Sequence, residues 1–177
     1  MRGIERRITA GLNPDVSSVA SLFVSRWDVA IADKAPEELR NQLGIAIAGQ
    51  VYESYRVLLD SPRWQRIFNT GARAQRLLFA STGTKDPQAS DTLYVQALAA
   101  PFTVNTMPEA TLKAQADHGT IGESLPAHVE NERNKFTKAG IDTDALGSQL
   151  QDEGAASFVK SWKDLIECIT SKKLSRN

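Results

Sequence analysis

The chain has 177 residues, 41% hydrophobic and 24% charged, with 21 basic residues balancing 21 acidic ones. That length supports one domain with a substantial core, and the even charge leaves no basic footprint for nucleic acid or an anionic membrane. No run reaches the roughly 18 apolar residues of a membrane span, and Cys168, the lone cysteine, rules out an internal disulfide and points to an intracellular setting.

The opening stretch MRGIERRITAGL carries Arg2, Arg6 and Arg7. Glu5 and the absence of serine argue against a transit peptide, and the pattern reads as a helix ended by Gly11. Asn13-Pro14-Asp15 is turn chemistry. Residues 16 to 24 are rich in valine, leucine and phenylalanine without clean alternation, as expected of a parallel strand buried on both faces, closed by Arg26, Trp27 and Asp28.

From 36 to 59 an apolar stripe through Leu39, Leu43, Ile47, Val51, Tyr55 and Leu58 predicts a long helix. Ser61-Pro62 then reads as an N-cap with proline in the first helical position, opening a short helix that runs to Gly71. RLLFASTGTKDP, residues 76 to 87, is a second strand with a polar, glycine-bearing mouth ending in a cation. Ser90 is placed to cap another helix, PFTVNTM is a short third strand, and Pro108 opens a helix that Gly119 stops. The tail reads as helical, with Phe158, Trp162, Leu165, Ile166 and Ile169 sharing one face meant for packing.

Strand alternating with helix is the rhythm of parallel βα units, in an α/β barrel or an open doubly wound sheet. Ligands of such folds collect at the carboxyl ends of the strands. Those ends bring Ser21, Phe23, Ser25 and Arg26, then Ser81, Thr82, Gly83, Thr84 and Lys85, then Asn105 and Thr106. Two cations and several hydroxyls on one rim suit a sugar phosphate, since arginine grips phosphate bidentately and the backbone near Gly83 allows close approach. The competing reading pairs Arg26 with Asp28 or Asp33 and leaves Lys85 and Asp86 solvating a turn. Three strands are few for this much helix, and an open sheet leaves unpaired edges.

Trp27, Trp64 and Trp162 are expected in the core or in helix packing. His118 sits before a helix-ending glycine, where positive charge suits the dipole, and it lacks a catalytic partner in the sequence. His128 opens a charged helix and is expected to be exposed. No His/Cys cluster has metal-ligand spacing, and GTIGES follows a helix rather than the strand that a dinucleotide fingerprint requires.

SSVASLFVSRWD, LLFASTGTKDP, SDTLYVQAL and TVNTMPEATL, in that order, together with the tail GIDTDALGSQLQDEG, resemble transaldolase, in its bacterial and plant branch. The resemblance covers nearly the whole chain. It implies an α/β fold, a partial (β/α)₈ TIM barrel: residues 1–177 would hold three carboxyl-terminal βα units, strands six to eight, with the carboxyl-terminal helices and without the amino-terminal strands.

The family moves a dihydroxyacetone unit from sedoheptulose 7-phosphate to glyceraldehyde 3-phosphate in the pentose phosphate pathway, through a lysine Schiff base and without metal or organic cofactor. Ser21, Phe23 and Arg26 match its Ser-x-Phe-x-x-Arg on the sixth strand, whose arginine holds the substrate phosphate. Ser81 matches the phosphate-proximal loop, and Lys85 is inferred as a second phosphate cation. The Schiff-base lysine, the catalytic glutamate and an aspartate belong to earlier strands, so no catalytic residue is assigned and the chain alone is expected not to turn over substrate.

The implied partner is a sugar phosphate, with no nucleic acid and no membrane. Self-association, or pairing with a chain carrying the missing strands, is a further expectation. The alternative is a non-catalytic sugar-phosphate-binding or partner module. The expected location is cytoplasmic, or plastid if a targeting segment lies upstream.

Overall fold

The computed structural model describes residues 1–120, 122–126 and 132–174. Three parallel strands form the centre, β1 (Val19–Phe23), β2 (Arg76–Ala80) and β3 (Thr103–Asn105), in the order β1-β2-β3. Helices α1 (Arg2–Thr9), α2 (Ser25–Ile31), α3 (Leu43–Asp60), α4 (Pro62–Phe68), α5 (Leu93–Ala97), α6 (Glu109–Asp117), α7 (Arg133–Lys138) and α8 (Thr143–Leu174) surround and extend it. The strands follow one another in sequence with helices between, so each connection is a βα crossover, as the α/β expectation required.

Register places Ser21 opposite Leu78, Phe23 opposite Ala80 and Phe79 opposite Asn105. Because side chains alternate along a strand, Leu22, Leu77 and Phe79 share one face, while Val19, Ser21, Phe23, Leu78 and Ala80 share the other. The first face carries the core: Leu77 and Phe79 pack with Val24, Ala48, Tyr52, Tyr94 and Leu98. A second cluster joins Ile31, Leu39, Leu43 and Ile47 to Phe136, Ile141 and Leu146 of the tail. A third, at Trp64, Ile67 and Ala72, receives Ile4 and Ile8 from α1, and Arg63 fastens that helix by donating to both carboxylate oxygens of Glu5 at 2.7 and 2.6 Å.

Several local signals are realised. The Ser61 hydroxyl accepts from the Trp64 N–H at 3.2 Å with Pro62 in the first turn, and Gly11 adopts a φ of +66 just past α1, a conformation glycine enters without steric cost. Asp142 caps α8 by accepting from the Asp144 and Ala145 N–H groups, both at 3.0 Å.

Other expectations shift. The long helix begins at Leu43 rather than near 36, because Glu37–Leu39 form a 3-10 turn, Arg40 is extended and Asn41 takes a φ of +59. The fifth helix starts at Leu93: the Ser90 hydroxyl accepts from the Thr92 N–H in a local turn instead of capping it. Strand β1 is not buried on both faces. Val19, Ala20 and Ser21 are exposed, since no described strand lies beyond β1 and its second face is left largely open. Trp162, expected to pack, is 63% exposed on the distal half of α8. The expectation for His128 lies outside the described residues. No described helix is long and apolar enough to cross a membrane.

Candidate functional site

The polar residues at the strand ends are held by the backbone ladder running past the strands. Val24 N–H donates to the Ala80 carbonyl at 2.8 Å and Ser25 N–H to the Ser81 carbonyl at 3.1 Å. Ser81 reaches that position with a φ of +54, a left-handed conformation that a non-glycine residue adopts at some cost. The Thr82 hydroxyl, fully buried, donates to the Asn105 side-chain oxygen at 2.7 Å and lies 2.9 Å from the Thr106 carbonyl. Gly83 then passes so close to Pro108 that a Cβ there would stand 2.9 Å from its Cγ. The glycine is therefore needed for the approach of two loops, and Thr82 and Gly83 tie the ends of β2 and β3 together.

At the end of β1, Arg26 turns its guanidinium over the Phe23 ring, 4.9 Å from the centroid, a cation–π contact of about 0.5–1 kcal/mol at a partly exposed site. Arg26 forms no salt bridge with a carboxylate among the described residues. Ser21, Phe23, Arg26 and Trp27 make one wall of a cavity of about 310 Å³, and α8 makes the other with Gly147, Gln151, Gly154 and Phe158. Gly147 lets Trp27 approach, since a Cβ there would meet the indole at 3.1 Å. Gly154 leaves the space beside Arg26 open, its Cβ position being 3.9 Å from Nη1. The result is a small concave site with a guanidinium that makes no salt bridge among the described residues, a serine hydroxyl and a glutamine, an arrangement suited to an oxyanion.

Lys85 lies elsewhere. It is exposed and lines a second cavity of about 440 Å³ with Asp28, Asp33, Arg40, Asn41, Asp86 and Tyr94. Asp86 draws the mouth of this cavity together by accepting from the Asn41 side-chain amide at 2.7 Å and from the Gln88 N–H at 2.9 Å. The Gln88 and Asn41 hydrogen bonds hold its carboxyl below the usual range. The structure thus brings Ser21, Phe23 and Arg26 to one cavity and leaves Lys85 on another, with Ser81 hydrogen-bonded between the two loops.

A family model described as transaldolase/fructose-6-phosphate aldolase matches residues 5–169. The chain belongs to that family. It is similar to a transaldolase of Parafrankia sp. (strain EAN1pec), 44% identical over 96% of this chain and 49% of that protein. A transaldolase of Thermobifida fusca (strain YX) is 41% identical over 97% of this chain and 50% of its own length, and one of Frankia alni is 43% identical with the same coverage. The chain spans about half the length of the curated relatives it matches.

Within this transaldolase-family chain the sequence missed Asp28. Rather than pairing with Arg26, it is buried and accepts the Leu43 and Gly44 N–H groups at 2.8 and 3.1 Å and the Tyr94 hydroxyl at 2.8 Å. Burial pushes its carboxyl up despite these donors, and burial beside the same carboxylate pushes the Tyr94 phenol up. The signal available was an Asp four residues past a strand and an uncapped helix start at Leu43, which only tertiary contact connects. His118 has partners after all: Asp91 at 3.0 Å and Asp117 at 3.2 Å, on the exposed surface.

Proposed function

We propose that this chain supplies the phosphate-binding side of a transaldolase-type site, which moves a dihydroxyacetone unit from sedoheptulose 7-phosphate to glyceraldehyde 3-phosphate through a lysine Schiff base in the pentose phosphate pathway. The observation that carries the reading is the convergence of Ser21, Phe23 and Arg26, which makes no salt bridge among the described residues, on one cavity at the carboxyl end of β1. Arg26 would grip the phosphate with its paired N–H donors, Ser21 would add a hydroxyl, and the Phe23 ring holds the guanidinium in place. Ser81 shapes the adjoining rim. Lys85, on the neighbouring cavity, would contribute attraction to an incoming dianion rather than a direct grip.

The proposal places the nucleophile in the half of the family length that this chain does not match. None of β1, β2 and β3 contains a lysine, and every lysine whose side chain is described is exposed. A Schiff-base lysine needs burial or a nearby cation to lose its proton near neutral pH. The same observation favours a second reading, a sugar-phosphate-binding module without turnover of its own. The proposed location is the cytoplasm.

Titration calorimetry of the chain with sedoheptulose 7-phosphate tests the binding claim common to both readings. Saturable binding that weakens roughly 10- to 100-fold in Arg26→Ala is expected, the range for losing charge-assisted hydrogen bonds. A folded chain that binds nothing, or an Arg26→Ala variant that binds equally well, would overturn it. Turnover assayed after supplying the remaining half of the family length separates the two readings.

A further inference from the structure

The amino ends of the three strands carry a chemistry of their own. Ser17 and Ser18 run into β1, Arg73 precedes β2, which opens on Arg76, and Phe102 stands immediately before β3. With Tyr55 from the distal half of α3, these residues line a cavity of about 610 Å³. The Arg26 cavity lies at the carboxyl end of β1, one strand length or about 13 Å away.

Phe102 takes a φ of +63 and leaves its ring 62% exposed. An aromatic residue enters that left-handed conformation only against a steric penalty, and an exposed ring gains no burial to offset it. The Arg56 guanidinium, 5.0 Å from the ring centroid, holds the ring in place. The Tyr55 hydroxyl and Arg56 Nε are buried and have no hydrogen-bond partner among the described residues. For the phenol, which lines the cavity, a ligand acceptor would relieve that cost.

Among the described residues, no carboxylate lines the cavity. The nearby Asp15 is engaged by Arg73 Nη2 at 3.1 Å, while Arg73 Nη1 donates to the Ser17 hydroxyl at 3.2 Å. Arg56 and Arg76 make no salt bridge among the described residues. Burial pushes the Tyr55 phenol up, with Arg56 and Arg76 opposing the rise, so the phenol stays protonated and a donor at neutral pH.

Positive charge, a buried donor, two serine hydroxyls and an exposed ring fit a phosphate joined to a planar heterocycle. A phosphate without such a ring would leave the strained, outward Phe102 with nothing to do. We infer that this cavity binds a nucleoside phosphate, its base stacked on Phe102 and its phosphate held by Arg76 and the Tyr55 hydroxyl. It is a second ligand site, separate from the Arg26 cavity and independent of the reading given to that cavity.

Titration calorimetry of the full chain with the four ribonucleoside 5′-monophosphates and with ribose 5-phosphate tests this. At least one nucleotide is expected to bind about tenfold or more tightly than ribose 5-phosphate, with amide NMR shifts centred on Ser17, Val19, Arg76 and Phe102. Arg76→Ala should weaken that binding about 10- to 100-fold, and Phe102→Gly about 5- to 100-fold. Glycine suits the positive φ, so the second variant keeps its fold. Tyr55→Phe should weaken binding about 3- to 10-fold without loss of stability, because the hydroxyl it removes has no partner among the described residues. Arg26→Ala, a strand length away, should leave nucleotide affinity within about twofold of the wild type.

Failure of all four nucleotides to bind overturns the inference. Ribose 5-phosphate binding as tightly as the nucleotides does so too, since the ring would then be idle. Shifts centred on Arg26, or a Phe102→Gly variant that binds as well as the wild type, overturn it equally.

Discussion

Tyr94 donates its hydroxyl to Asp28 Oδ2 at 2.8 Å, joining two side chains only 1% and 6% exposed and 66 residues apart. Asp28 also receives the first amides of α3, so one carboxylate locks the turn after β1, the start of the longest core helix and α5. Removing the phenol leaves part of a buried carboxylate unpaired. Tyr94→Phe should therefore lower stability by about 2 kcal/mol, read from chemical denaturation at neutral pH. Asp28→Ala should cost more, because two helix amides then lose their acceptor as well.

Gly44 shows how tightly that junction is built. A Cβ would lie 2.6 Å from Asp28 Oδ2 and 2.7 Å from the Val24 carbonyl. One of those neighbours is backbone and has nowhere to go. Gly44→Ala should destabilise the chain by about 2 kcal/mol or more, despite alanine's better helix propensity. A thermal melt showing a gain would mean the junction is looser than its geometry implies.

His118 joins the end of α6 to the loop before α5 through Asp91, and that hydrogen bond, with a second to Asp117, raises its pKa. A raised value means the folded state holds the proton more tightly than the unfolded one. The contribution is complete below about 6.5, the ordinary histidine value, and fades as pH rises through the raised one. The stability gap between the wild type and His118→Gln should shrink from acid toward alkaline pH, and Asp91→Asn should bring the imidazole titration, followed by NMR, down.

Much of this was legible locally. The Ser61-Pro62 start, the second and third strands and the helix beginning at Pro108 rest on residues within a turn of one another, where capping and turn chemistry act. Arg26 beside Phe23 could also be placed, because three positions separate them across a strand end. What the sequence hid was non-local. The start of α3 depends on a cap delivered by Asp28 from another element, and the split of Lys85 from Arg26 depends on how the loop after β2 folds toward Asn41. The exposure of β1 and Trp162 could not be read from apolar patterns, which report that a face is meant to be covered and not whether this chain covers it.

The α8 wall makes a prediction separable from stability. Gly154→Leu should fill the space beside Arg26 and abolish phosphate binding. Stability should hold or rise by up to about 1 kcal/mol, since glycine is poor in a helix. Retained binding in a folded Gly154→Leu variant would place the phosphate away from α8.

The most direct test is to map, by amide NMR, which cavity responds to sedoheptulose 7-phosphate. Shifts centred on Ser21, Phe23, Arg26 and the facing residues Gln151 and Gly154, and lost in Arg26→Ala, are the predicted result. Shifts centred on Asp33, Asn41 and Lys85, with the Arg26 cavity silent, would contradict it and move the phosphate site to the second cavity.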